Sequence, residues 1–140
     1  MKYKYSAFLP PATSDKWIKR PLIQIEVFSG KNVIKFNALI DSGADKSLFN
    51  VEVAKLIGLD LEKAKPHSFV GIGGKQEIKA YLIDEVEIKV EGMDKKIKIP
   101  VGFINSDSVG LLLGQEGFFD QYRIKFEKNH DTFELTPVKK

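Results

Sequence analysis

Cysteine is absent from the 140 residues of this chain. That excludes disulfides and thiolate metal sites, and it leaves the redox compartment open. Histidine is scarce. His67 and His130 are too few and too far apart for a metal site, and each reads as a surface or turn residue. The expectation is no metal and no cofactor. Long apolar runs are missing too, and no stretch approaches the roughly 20 residues needed to cross a bilayer. The opening Met1–Pro11 lacks the apolar run of a signal peptide. No membrane partner and a cytoplasmic location are therefore expected. Nor is there an excess of one charge. The formal net charge is +3, and the lysines are interleaved with acids, so no nucleic-acid partner is expected.

What is present is the composition of an ordinary globular protein, with 43% hydrophobic residues and a length that suits one domain with a proper core. One stretch organises the rest. Val33 to Ile40 is rich in apolar and β-branched residues and reads as a strand entering a core. It ends on Asp41, which opens the tight turn Ser42-Gly43-Ala44-Asp45. A carboxylate at such a place sits at the edge of a low-dielectric interior, where burial raises its pKa unless a donor or cation compensates. Asp41 has two readings. It closes an Asx-type turn or caps the next element, or it is a catalytic carboxylate with Ser42 supplying a hydroxyl and Gly43 permitting close approach.

The remaining chain alternates short strands with turns. Pro21–Phe28 alternates and pairs, through Ser29–Asn32, with the strand that delivers Asp41. Asn50–Gly58 predicts a short helix with Asn50 as N-cap and Gly58 as stop. Leu59–Pro66 reads as a connector. Phe69–Lys75 places three glycines around Ile72 between two strands. It is a hairpin turn, or a mobile flap with one apolar side chain at its tip. Glu77–Val90 and Lys96–Ile104 read as strands, and Leu111–Gly114 as a second buried strand. Gln115–Gln121 is expected as a short helix. Tyr122–Glu127 and Thr132–Thr136 are expected as a last hairpin around Asn129–Asp131. This pattern is that of an all-β barrel or sandwich. The domain is expected over residues 17–140, with residues 1–16 as an N-terminal arm.

In order and spacing, these pieces resemble the retropepsin family of retroviral-type aspartic proteases. Leu39-Ile40-Asp41-Ser42-Gly43-Ala44-Asp45 resembles the catalytic loop. Val70-Gly71-Ile72-Gly73-Gly74 resembles the flap, and Leu112-Leu113-Gly114 resembles the strand that braces the loop. Trp17 and Arg20-Pro21 resemble the N-terminal stretch of viral members. There are departures. Ser42 stands where the family commonly has threonine, and Gln115 where viral members carry arginine. The arm and the helix after Asn50 are not viral features, which points to a cellular or bacterial relative.

The resemblance implies a closed, barrel-like all-β fold with one or two short helices and one lobe per chain. It implies an aspartic endopeptidase that acts on a peptide or protein substrate. A single Asp-Ser-Gly in this length requires a second carboxylate from another copy, so a homodimer is implied. Asp41 would be catalytic, Val70–Gly74 would cover substrate, and Asp45 would meet Arg20 of the opposite copy. The alternative is a homodimeric module of the same fold, without turnover, for peptide binding or dimerisation.

Overall fold

A computed structural model describes residues 1–8, 18–70, 77–106 and 110–139. Its strands are β1 (Lys2–Lys4), β2 (Ser6–Phe8), β3 (Ile18–Arg20), β4 (Leu22–Ser29), β5 (Asn32–Ile40) and β6 (Ser47–Asn50), followed by helix α1 (Val51–Ile57). Next come β7 (Lys65–Val70), β8 (Glu77–Val90), β9 (Ile97–Ile104), β10 (Leu111–Leu113), β11 (Tyr122–Glu127) and β12 (Thr132–Pro137). The chain is all-β, as its turn-punctuated pattern predicts.

The main sheet runs β4-β5-β10-β6-β9-β8, and β8 pairs back onto β4, so six strands close into a barrel. β7 lies outside the ring on the first half of β8. Strict alternation in β4 produces the closure. Ile23, Ile25 and Val27 point inward and are buried, while Leu22, Gln24, Glu26 and Phe28 are only half-buried. Burying one face of every strand removes apolar area from water, and closing the ring removes the free edges of an open sheet. Ala38, Ile40, Phe49, Ile88, Val101, Phe103 and Leu113 complete the core.

β8 is long enough to serve two neighbours along one edge because it bends. Ile83 pairs with Val101 and Val86 with Ile99, so Asp84 and Glu85 stand opposite Pro100 alone. Proline has no N–H to give to a ladder, and a bulge is where a sheet tolerates it.

Helix α1 forms where its caps predict. The Asn50 side chain accepts from the Glu52 N–H at 2.9 Å, and Gly58 closes the helix with φ of 74°. Val51, Val53, Ala54 and Ile57 are buried, and the Asn32 amide donates to the Ile57 carbonyl at 2.9 Å. The connector after α1 is shorter than expected. It holds one 3-10 turn, Leu61–Lys63, capped by Asp60, and β7 already begins at Lys65.

One expectation is corrected. Gln115–Gln121 is not a regular helix. Glu116 is extended and Gly117 has φ of 87°, so the segment is an irregular turn. A side chain at Gly117 would come within 2.6 Å of the Pro100 ring, which explains a glycine there. The turn of the last hairpin is a 3-10 turn, Lys128–His130, closed by Asp131 with φ of 52°. Aspartate is among the few non-glycine residues that enter this region readily.

A second, smaller sheet runs β1-β12-β11. β1, from the segment expected as an arm, pairs Tyr3 with Phe133. β2 pairs with β3, Ser6 opposite Arg20. Trp17 and the glycine segment 71–76 lie outside the described residues. β7 and β8 pair antiparallel as far as Val70 opposite Glu77.

Candidate active site

The Asp41 loop joins β5 to β6 and passes over the end of β10. β10 is wedged between those two strands, parallel to β5 (Leu113 beside Ile40) and antiparallel to β6 (Leu112 beside Leu48). The chain that leaves β10 therefore runs directly beneath the loop.

Four backbone N–H groups hold the two together. Asp41 N–H donates to the Leu113 carbonyl at 2.9 Å. Gln115 N–H donates to Ala44, and Glu116 N–H to Asp45, each at 2.8 Å. Gly114 N–H donates to the Ser47 hydroxyl at 3.0 Å. Ser47 is fully buried, and this bond accounts for a polar group in the core. Side chains add two contacts. Gln115 Nε2 donates to the Ser42 carbonyl at 2.7 Å, and Lys46 Nζ pairs with Glu116 Oε2 at 2.9 Å. Gly114 is needed for closeness. A Cβ there would lie 2.5 Å from the Lys46 carbonyl oxygen and 2.7 Å from that of Ala44. The brace expected of Leu112-Leu113-Gly114 is thus a set of bonds at their C-terminal end.

Within the loop, Asp41 is half-buried and Ser42 and Gly43 are exposed. Asp41 Oδ1 accepts from Gly43 N–H at 2.9 Å, and the Asp41 carbonyl accepts from Ala44 N–H at 3.2 Å. The acid thus closes an Asx-type turn, and it does so while half-buried. The Ser42 hydroxyl and the Asp45 carboxylate have no hydrogen-bond or ion-pair partner among the described residues. Arg20 does not reach Asp45 within the chain; its Nη1 bonds the Lys19 carbonyl at 3.3 Å. The side chain of Val70, and Gly71, Ile72, Gly73 and Gly74, fall outside the description, so their distance from Asp41 is not part of this site.

Residues 23–116 match the family model described as aspartyl protease. The chain belongs to the retropepsin-like aspartyl proteases. Comparison with curated proteins gives no match. The matched span starts in β4 and ends just past β10, so it takes in the whole barrel, the Asp41 loop and the residues that brace it. Membership supports a protease-type function acting on peptides.

Among the described residues no group of three or more His, Asp or Glu side chains is placed to hold a metal. The sequence reading missed Ser47 and the Lys46–Glu116 pair. A lone hydroxyl beginning the otherwise apolar run Ser47-Leu48-Phe49 was a visible signal for the first. The second joins residues 70 positions apart, and nothing local marks it.

Proposed function

We propose that the chain is an aspartic endopeptidase that works as a homodimer, with Asp41 of two copies sharing one water. One carboxylate, ionised, takes the water's proton. The other, protonated, hydrogen-bonds the scissile carbonyl and polarises it. Two carboxylates this close cannot both ionise cheaply, so the pair titrates in two separated steps and supplies a base and an acid together. Ser42, whose hydroxyl has no partner among the described residues, bonds across to the partner's loop. Gly43 meets the substrate backbone, and Val70–Gly74 close over it, with Ile72 favouring apolar residues beside the cut.

The observation that carries this reading is the single Asp41-Ser42-Gly43 loop, braced from below by β10 and exposed at its tip. One chain holds one such carboxylate, which is half of what the chemistry needs. The test is cleavage of unfolded casein at several pH values over a dilution series. The expected result is turnover whose specific activity falls on dilution, because each monomer holds half a site. Asp41→Asn is expected to lower the rate by about a thousandfold with the fold kept, since the amide preserves hydrogen bonds and loses the base. Full activity of Asp41→Asn would sink the protease reading. A dimer without turnover would favour a peptide-binding or dimerisation module.

A further inference from the structure

The Ser42–Gly43 peptide unit is gripped at both ends. Its carbonyl accepts from Gln115 Nε2 at 2.7 Å, and its N–H donates to Asp41 Oδ1 at 2.9 Å. In a trans peptide these two groups point in opposite directions, so fixing the carbonyl aims the N–H. We propose that Gln115 is a positioning residue that locks this peptide and so keeps the Gly43 N–H on the Asp41 carboxylate.

Three observations carry the inference. The Gln115 backbone is anchored independently, through its N–H to Ala44, so the side chain is placed rather than trailing. The amide is a neutral donor, which suits a carbonyl; a cation here would also draw on the nearby carboxylates. Finally, hydrogen bonds in series polarise one another. A donor on the Ser42 oxygen strengthens the donation of the Gly43 N–H that shares its peptide. The charged residues on the segments bonded to this loop are Asp45 and Lys46 in the loop itself, Glu116 just past β10, and Arg20 just ahead of Pro21, whose carbonyl accepts from the Ile40 N–H. Lys46 and Glu116 already neutralise each other. The link through Gln115 therefore acts on Asp41 without adding charge.

The catalytic consequence rests on the protease reading, but the clamp itself does not. Gln115→Met keeps the length and loses the donor. It is expected to lower kcat about tenfold with KM within about twofold, which is the scale of one hydrogen bond. Gln115→Glu sharpens the test. A protonated carboxyl donates to the Ser42 oxygen and a carboxylate cannot. Its rate relative to wild type should be near unity in acid and fall to the Gln115→Met level as pH rises through the ordinary glutamate value of about 4.3. Gln115→Met, which adds no charge, separates loss of the donor from the negative charge that Gln115→Glu brings on ionising.

The independent readout is the Gly43 amide proton in NMR, which follows the titration of Asp41 while it donates to that carboxylate. In Gln115→Met this pH-dependent displacement should shrink to less than half. If the Gly43 displacement is unchanged, the clamp is overturned, whether or not kcat falls. If wild type shows no turnover while Gly43 responds as expected, the clamp stands and the protease reading fails. If wild type turns over and neither kcat nor Gly43 moves in the variants, the protease reading stands and the role of Gln115 is wrong.

Discussion

The loop at Asp41 and the terminal sheet β1-β12-β11 both rest on backbone hydrogen bonds, but they use their side chains differently. Four backbone N–H groups fix the loop over β10, and the side chains of Ser42 and Asp45 make no bond among the described residues. In the terminal sheet the side chains pack on top of the backbone ladder. Phe133 is fully buried, stacked on Tyr3 at 5.2 Å and tilted against Tyr5 at 5.9 Å. The charges around it are paired, Lys125 with Glu127 and Lys128 with Asp131. A region fixed through its main chain leaves its side chains available for other molecules. A region that spends its side chains on packing gains stability and offers less to a ligand.

The largest expected effect tests whether the two regions are separable. Phe133→Ala removes a buried ring and should cost about 3–5 kcal/mol in urea unfolding. Specific activity per folded molecule should stay close to wild type. A proportionate loss of turnover would show that the terminal sheet supports the loop after all.

Gly114→Ala attacks the other region. Its φ of −111° suits alanine, so the only penalty is the contact with two carbonyls. The expected cost is about 1–3 kcal/mol, together with a turnover loss that Phe133→Ala does not show. Stability loss without activity loss would mean that the loop absorbs the extra atom.

Arg20 and Asp45 probe whether an uncommitted side chain of the loop finds its partner in a second copy. A double-mutant cycle on the dimer dissociation constant, with Arg20→Ala, Asp45→Ala and the pair, is expected to show coupling of about 1.5 kcal/mol or more. A surface pair would give about 0–1 kcal/mol. Strict additivity removes this contact.

The smallest effect belongs to the paired charges of the terminal sheet. The Lys128 hydrogen bond holds Asp131 below the usual carboxylate range, and the Lys125 hydrogen bond does the same for Glu127. A lowered folded pKa adds stability that is full above the ordinary value of about 4 and is lost as pH falls below it. Both groups are only half-buried and water screens them, so the change is slight. A Tm series in acid should be shallower for Lys128→Ala than for wild type, and equal slopes would leave the pair without influence.

These contrasts also explain what could be read from residues alone. β4 and α1 were legible because their signals are local: an alternation of two in Leu22–Phe28, a cap at Asn50 and a stop at Gly58. The strand pattern alone left barrel and sandwich open, and the closed barrel came only from the family resemblance, because closure depends on β8 meeting β4 across some sixty residues. Gln115 was read by what it lacks, a positive charge. Its use as a donor to Ser42 depends on where β10 brings it, which no neighbouring residue reveals. The regular helix expected after Gln115 fails on Gly117, whose close approach to Pro100 is equally non-local.

The wedge of β10 between β5 and β6 bears on the order of events in synthesis and folding. Asp41 is made some seventy residues before Leu113, Gly114, Gln115 and Glu116, and its loop gains their bonds only after they follow. Pairings that distant form slowly, because the loop between them must first be closed. Refolding followed by hydrogen exchange should find the Asp41 amide protected later than those of α1. Until those residues follow, a nascent chain carries its acid without the bonds that set it in place.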